Sequence, residues 1–225
     1  QTATGSTTLN ANGFAINGLT FAGWTTNSDG TGTSYANQGS ITVSSDVDLY
    51  AKWTINSYDL DYAANSGTWT SGSAPATVSK EYGSTVTASL GSVIGRTGYT
   101  LAGWSYTLNN VATPVEAGAT FTMPASNLTL TAQWTANTYT VTYSANGGSG
   151  SAPGQGSYTV GGNGITLPGV GNLQNTGFTF GGWSTSPTGT SALPSPYAPS
   201  SSGTLYAIWV PNGSNTITYH SAYPV

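Results

Sequence analysis

The 225 residues include three Lys or Arg, seven Asp or Glu and one His, so charged side chains make up 4% of the chain, against roughly 25% in an ordinary soluble domain. Three cations cannot form the basic stripe that neutralises a phosphate backbone, which excludes nucleic-acid binding. The absence of Cys excludes a disulfide framework and a cysteine zinc site.

In chain order, residues 1–5 show neither the basic flank nor the apolar run of a signal peptide. Export is expected to precede this sequence, unless the sequence is an excerpt. The first predicted strand is Gly18-Leu19-Thr20-Phe21-Ala22-Gly23-Trp24. The turn formers Ser28-Asp29-Gly30 follow it, then Asp46 and Asp48, then a second strand, Leu49-Tyr50-Ala51-Lys52-Trp53. The third is Tyr58-Asp59-Leu60-Asp61-Tyr62, where strand alternation puts both Asp on one face. Trp69 lies in a Gly/Ser/Thr segment, and Glu81 and Glu116 fall in stretches that read as loops. Residues 86–93 allow a short helical turn, but Gly83, Gly91 and Gly95 oppose anything longer. The pattern then recurs. Gly98-Tyr99-Thr100-Leu101-Ala102-Gly103-Trp104 and Leu130-Thr131-Ala132-Gln133-Trp134 are followed by Tyr139-Thr140-Val141-Thr142-Tyr143. It recurs again as Gly177-Phe178-Thr179-Phe180-Gly181-Gly182-Trp183 and Leu205-Tyr206-Ala207-Ile208-Trp209, and Thr216-Ile217-Thr218-Tyr219 closes the series.

Blocks in a fixed order with a period near 80 residues indicate tandem modules. The blocks are rich in Thr, Val, Tyr, Phe and Trp, which fit a pleated surface. The expected fold is mainly β, with little or no helix. Module one covers 1–55, module two 56–136 and module three 137–211, and 212–225 is an opening-strand remnant. The periodic Trp24, Trp53, Trp104, Trp134, Trp183 and Trp209 are expected in module cores, where each indole buries about 150–250 Å². Aromatic content of 12% opposes disorder, and no apolar run approaches the ~20 residues of a membrane span.

These blocks resemble the Listeria–Bacteroides repeat, also called the internalin B-repeat. Its signature is an opening Y-x-V-x-Y strand, a central G-[YF]-T-[FL]-x-G-W and a closing L-Y-A-x-W. The resemblance covers almost the entire chain. It implies elongated arrays of small β-grasp-like modules in secreted or surface-attached bacterial or archaeal proteins, without catalytic residues or cofactors. The chain departs from the family in its low charge and in lacking sequence for the helix of a β-grasp.

The chain ends suggest how the protein works. Module one has 17 residues before Gly18, whereas 40 separate Tyr58 from Gly98 in module two, so module one is expected to lack its opening strand. A module short of one strand exposes a groove and an unpaired edge, which an extended segment of another chain can fill. One expectation is therefore head-to-tail self-assembly, with Thr216, Ile217, Thr218 and Tyr219 of one copy received by Phe21, Trp24, Tyr50 and Trp53 of the next. The alternative is a piece of a longer repeat adhesin, completed by the adjacent repeat of its own chain and binding glycans or proteins. Either way an extracellular, non-enzymatic protein is expected, with no cofactor. Asp46, Asp48, Asp59 and Asp61 are a weak candidate for Ca²⁺, which takes 6–8 oxygen ligands. Trp69 is a candidate for stacking on a glycan, with packing on the protein favoured. Lys52 is expected on the solvated face of its strand.

Overall fold

The structure is a computed structural model that describes residues 5–213; the predicted strand Thr216, Ile217, Thr218 and Tyr219, and His220, lie outside the described residues. Strand is its main regular structure, at 48%, with essentially no helix, as expected. Its contacts separate two compact units, one of Gln1–Thr97 with Leu101–Thr135 and one of Gly98–Thr100 with Ala136–Val225.

The first unit opens with β1 (Gly5–Thr8), β2 (Leu19–Thr25), β3 (Ser34–Tyr35), β4 (Ser40–Val43) and β5 (Tyr50–Ile55). It continues with β6 (Ser57–Ala63), β7 (Thr68–Trp69), β8 (Val78–Glu81), β9 (Thr85–Thr87) and a 3-10 turn at Gly91–Val93. That turn is the short helical element the sequence allowed. β10 (Ile94–Gly95), β11 (Tyr99–Leu108), β12 (Val111–Val115), β13 (Thr120–Thr122) and β14 (Leu128–Ala136) follow. The second unit contains β15 (Thr138–Ser144), β16 (Gly156–Thr159), β17 (Phe178–Ser184) and β18 (Gly203–Pro211). Glu81, expected in a loop, ends β8 and faces Ser57 across the β6–β8 pair. Pairing with β6 draws that segment into the sheet, a long-range effect that local composition does not carry.

Modules two and three share one strand order. The sheets run β12-β11-β14-β6-β8 and β17-β18-β15-β16. In each, the closing strand (β14 or β18) lies between the Gly-Trp strand and the opening strand (β6 or β15). The opening strand runs parallel to it, with Leu60 opposite Leu128 and Tyr62 opposite Leu130. Likewise Val141 faces Gly203 and Tyr143 faces Leu205. The central position buries the closing strand: Leu130, Ala132 and Ala207 are fully buried and Leu205 is 2% exposed. Met123, Leu128, Val86 and Trp104 join the core of module two, and Val141, Leu173 and Trp183 that of module three.

Module one stops short of this arrangement. Its sheet is β3-β2-β5, with β1 and β4 forming a separate pair, as β9 and β13 do in module two. Among the described residues nothing pairs with the outer edge of β5. Leu49 and Ala51, the counterparts of buried Leu130 and Ala132, are only half-buried. Neither core cluster includes a module-one residue.

The Gly before the Trp of each central block has a structural cause. Gly23, Gly103 and Gly182 adopt φ of 129°, 143° and 117°, and register shifts mark bulges at Gly23 and Gly182. A Cβ there would lie 2.6 Å from the Tyr35 carbonyl oxygen at Gly23 and 2.8 Å from that of Val115 at Gly103. The bulge adds one residue to the strand and brings the following Trp inward.

Candidate functional site

In modules two and three the opening segment makes the same three contacts. Its last Tyr meets the central Trp edge-to-face, Tyr62 with Trp104 at 4.9 Å and Tyr143 with Trp183 at 4.7 Å between ring centres. Two residues on, a carbonyl accepts from the closing Trp: Trp134 Nε1 donates to Ala64 O at 3.1 Å and Trp209 Nε1 to Ala145 O at 2.8 Å. The next residue, an Asn, donates back to the closing strand. Asn65 Nδ2 reaches Ala132 O at 2.8 Å and Asn146 Nδ2 reaches Ala207 O at 2.9 Å. Each opening segment therefore covers a ring, satisfies an indole N–H and caps a strand carbonyl.

Module one has the receiving half of this arrangement. Phe21 packs edge-to-face on Trp24 at 5.1 Å and on Trp53 at 5.6 Å, as Phe180 does on Trp183 and Trp209 at 5.3 and 5.9 Å. Three of the four predicted receiving residues thus form one cluster. The fourth, Tyr50, is 42% exposed at the start of β5. Beside the cluster lies a groove of about 590 Å³ lined by Leu9, Trp24, Ile41, Val43, Val47 and Leu49, with Asp46 and Asp48 also facing it. Val47, Asp48, Leu49 and Tyr50 occupy the positions that Leu128, Thr129, Leu130 and Thr131 use to pair with β6. Leu9, Ile41 and Val47 were not predicted. The repeat comparison at Leu49 carried the signal, since its counterparts face Tyr62 and Tyr143.

The polar atoms mark the same place. Trp104 Nε1 donates to Ser89 O at 2.8 Å and Trp183 Nε1 to Pro168 O at 2.7 Å, each fifteen residues upstream. Trp24 Nε1 has no such bond. It and Thr25 Oγ1 are the buried side-chain polar atoms without a partner among the described residues. Native interiors rarely leave such groups unpaired, so this site in module one stands out among the described residues.

The remaining candidates lie elsewhere. Trp69, on β7, stacks against Trp104 at 6.3 Å and 12° and joins the core of module two. Asp61 accepts a hydrogen bond from Thr77 Oγ1, and Asp59 is exposed. Among the described residues no three His, Asp or Glu side chains gather as a metal-binding group. Lys52 is exposed. No helix among the described residues is long and apolar enough to cross a membrane.

Two relatives come from Evansella cellulosilytica. One, named as a Gly-rich membrane protein, is 36% identical over 137 residues, 59% of this chain and 16% of its own length. The other, named as a membrane protein, is 34% identical over 179 residues, 77% of this chain and 25% of its own. The chain therefore spans a quarter or less of these relatives. No solved structure matches it. Residues 1–52, 58–133 and 139–208 each match the Listeria-Bacteroides repeat domain, in step with the repeated strand order and the Gly-bulge-Trp block; the chain belongs to the Listeria-Bacteroides repeat family.

Proposed function

We propose that this chain is a structural, non-enzymatic subunit of an extracellular filament or surface stalk that assembles head-to-tail by strand complementation. The observation that carries this reading is the open edge of β5 beside the unpaired Trp24 indole. The opening strands of modules two and three occupy the equivalent edge. By the same register, Ile217 of one copy faces Val47 of the next and Tyr219 faces Leu49, which brings Tyr219 to the place of Tyr62 and Tyr143. Backbone pairing supplies affinity and alternate side chains supply register. One departure weakens the donor: Ala222 stands where Asn65 and Asn146 stand, so the carbonyl of Ala51 gains no side-chain cap. Such a contact is heterologous and propagates into a fibre rather than closing.

Electron microscopy of the full chain and of a chain lacking residues 214–225 tests this reading. Filaments from the first and none from the second, with assembly restored by fusing those residues back, are the expected results. Filaments that persist after the deletion would overturn it, as would a monomer whose own tail fills the groove.

A second reading draws on the length of the relatives. In a longer surface repeat protein, the missing strand comes from the preceding repeat of the same polypeptide, and the array serves as an adhesin stalk. Intact mass of the native protein separates the two, since a much longer chain supports covalent supply. Glycan-array binding by the soluble chain would favour the adhesin.

A further inference from the structure

A three-part clasp recurs where each closing strand ends. In the first unit, Asn56 N–H donates to Gly18 O at 2.9 Å and Thr20 Oγ1 donates to Asn56 Oδ1 at 2.5 Å. The carbonyl of Asn56 then accepts from Tyr82 N–H at 2.8 Å, just past β8. In the second unit, Asn137 N–H donates to Gly98 O at 2.9 Å, Thr100 Oγ1 to Asn137 Oδ1 at 2.7 Å, and Val160 N–H to Asn137 O at 3.0 Å, just past β16. The glycines hold φ of 77° and 78° and lie flat against the incoming side chain. A Cβ on Gly18 would meet the Tyr82 ring at 2.3 Å, and one on Gly98 would meet Val160 at 3.1 Å. In both filled clasps the Asn follows the closing strand, and the residue just past the second strand of the next hairpin closes onto its carbonyl.

The third clasp is built but half-filled. Asn212 N–H donates to Gly177 O at 2.9 Å and Thr179 Oγ1 to Asn212 Oδ1 at 2.6 Å, with Gly177 at φ 82°. No described N–H pairs with the Asn212 carbonyl, and no described atom lies within 4 Å of a Cβ placed on Gly177. Gly18 is buried and Gly98 half-buried, but Gly177 is exposed. Phe178 and Val210 beside it are 41% and 49% exposed.

We propose that Gly177, Thr179 and Asn212 form the docking face for a further repeat joined in sequence through Asn212. An apolar residue just past the second hairpin strand of that repeat covers Gly177 and donates its N–H to the Asn212 carbonyl. Two filled copies of the same contact fix the occupant's chemistry. Tyr82 and Val160 follow their Asn by 26 and 23 residues, which sets where the covering residue is expected after Asn212. The inference rests on the reading of the chain as repeats working in series, but not on strand exchange between subunits.

The test appends a second copy of residues 138–211 directly to residues 1–212, which recreates the Asn137–Thr138 junction at Asn212. This extended chain lacks residues 213–225, so it cannot donate the tail strand, and the assembly proposal can fail independently. Amide hydrogen exchange should show the appended Val160 protected like the internal one, and Asn212 slowed by about tenfold or more against the 225-residue chain. Gly177→Val should remove the protection of the appended Val160 while leaving the internal Val160 unchanged. A folded appended repeat whose Val160 amide exchanges freely would overturn the proposal. So would failure of both this repeat and an appended copy of residues 57–136 to fold on Asn212. Protection at Gly177 and Asn212 that rises with concentration in the 225-residue chain would assign the face to a second copy and overturn it too.

Discussion

The central tryptophans show how one residue type takes different energetic roles in near-identical surroundings. Trp104 and Trp183 are 1% and 2% exposed and each donates to a loop carbonyl. Replacing either with Phe leaves a part-buried acceptor unpaired, at a cost of about 1–3 kcal/mol. Trp24 Nε1 has no partner among the described residues, so Trp24→Phe should cost the unassembled chain less than about 1 kcal/mol. Urea unfolding of the three variants checks the contrast, and an equal loss at Trp24 would contradict it. The tyrosines facing Trp104 and Trp183 give a pH signature. Burial raises the pKa of Tyr62, with a Ser89 N–H bond partly opposing, and burial raises that of Tyr143. A raised phenol pKa means the unfolded chain loses its proton first. This contribution to stability is therefore complete below about pH 10 and is lost as pH rises through the folded value. Tyr143→Phe should flatten the alkaline limb of a stability–pH curve while leaving its shape near neutrality unchanged.

The strands were legible in the blocks because side-chain alternation has the same period everywhere in a sheet. The two-residue β7 and β10 were not, since their pairing of Trp69 with Ile94 is decided by the fold around them. The Gly-x-x-x-x-Gly-Trp spacing was visible in the sequence, but its cause, a bulge before the Trp, was not. Gly23→Ala should destabilise module one by about 1–3 kcal/mol, because the residue must hold a positive φ and its Cβ meets the Tyr35 carbonyl. Ala22→Gly, one position earlier on the exposed side, should cost less than about 1 kcal/mol. Comparable losses in thermal unfolding at both positions would contradict the bulge argument. At Asn146, Nδ2 donates to both Ala207 O and Pro187 O. Asn146→Ala should accordingly cost about 1–3 kcal/mol in module three.

At the scale of the whole molecule, low charge bears on the proposed head-to-tail assembly. With so few charges, long-range repulsion is weak and association should change little between low and high salt. Light scattering across a salt series measures this, and ready dissociation in one salt regime would contradict it. The unsatisfied indole and the open β5 edge lie together in module one, so filling the groove should be visible as a change in Trp24 fluorescence on assembly.

The sequence by itself determined the repeat and the mainly β class, because period and spacing are properties of the chain that need no third dimension. It also named Phe21, Trp24 and Trp53, through their place in the blocks. Only the tertiary structure decided that the closing strand lies in the middle of each sheet and that Trp69 stacks on Trp104. It alone showed that an Asn, a Thr and a Gly form a recurring clasp where each closing strand ends. Those contacts join residues far apart in sequence, and their selection depends on which backbone edges and faces the completed sheet leaves within hydrogen-bonding reach.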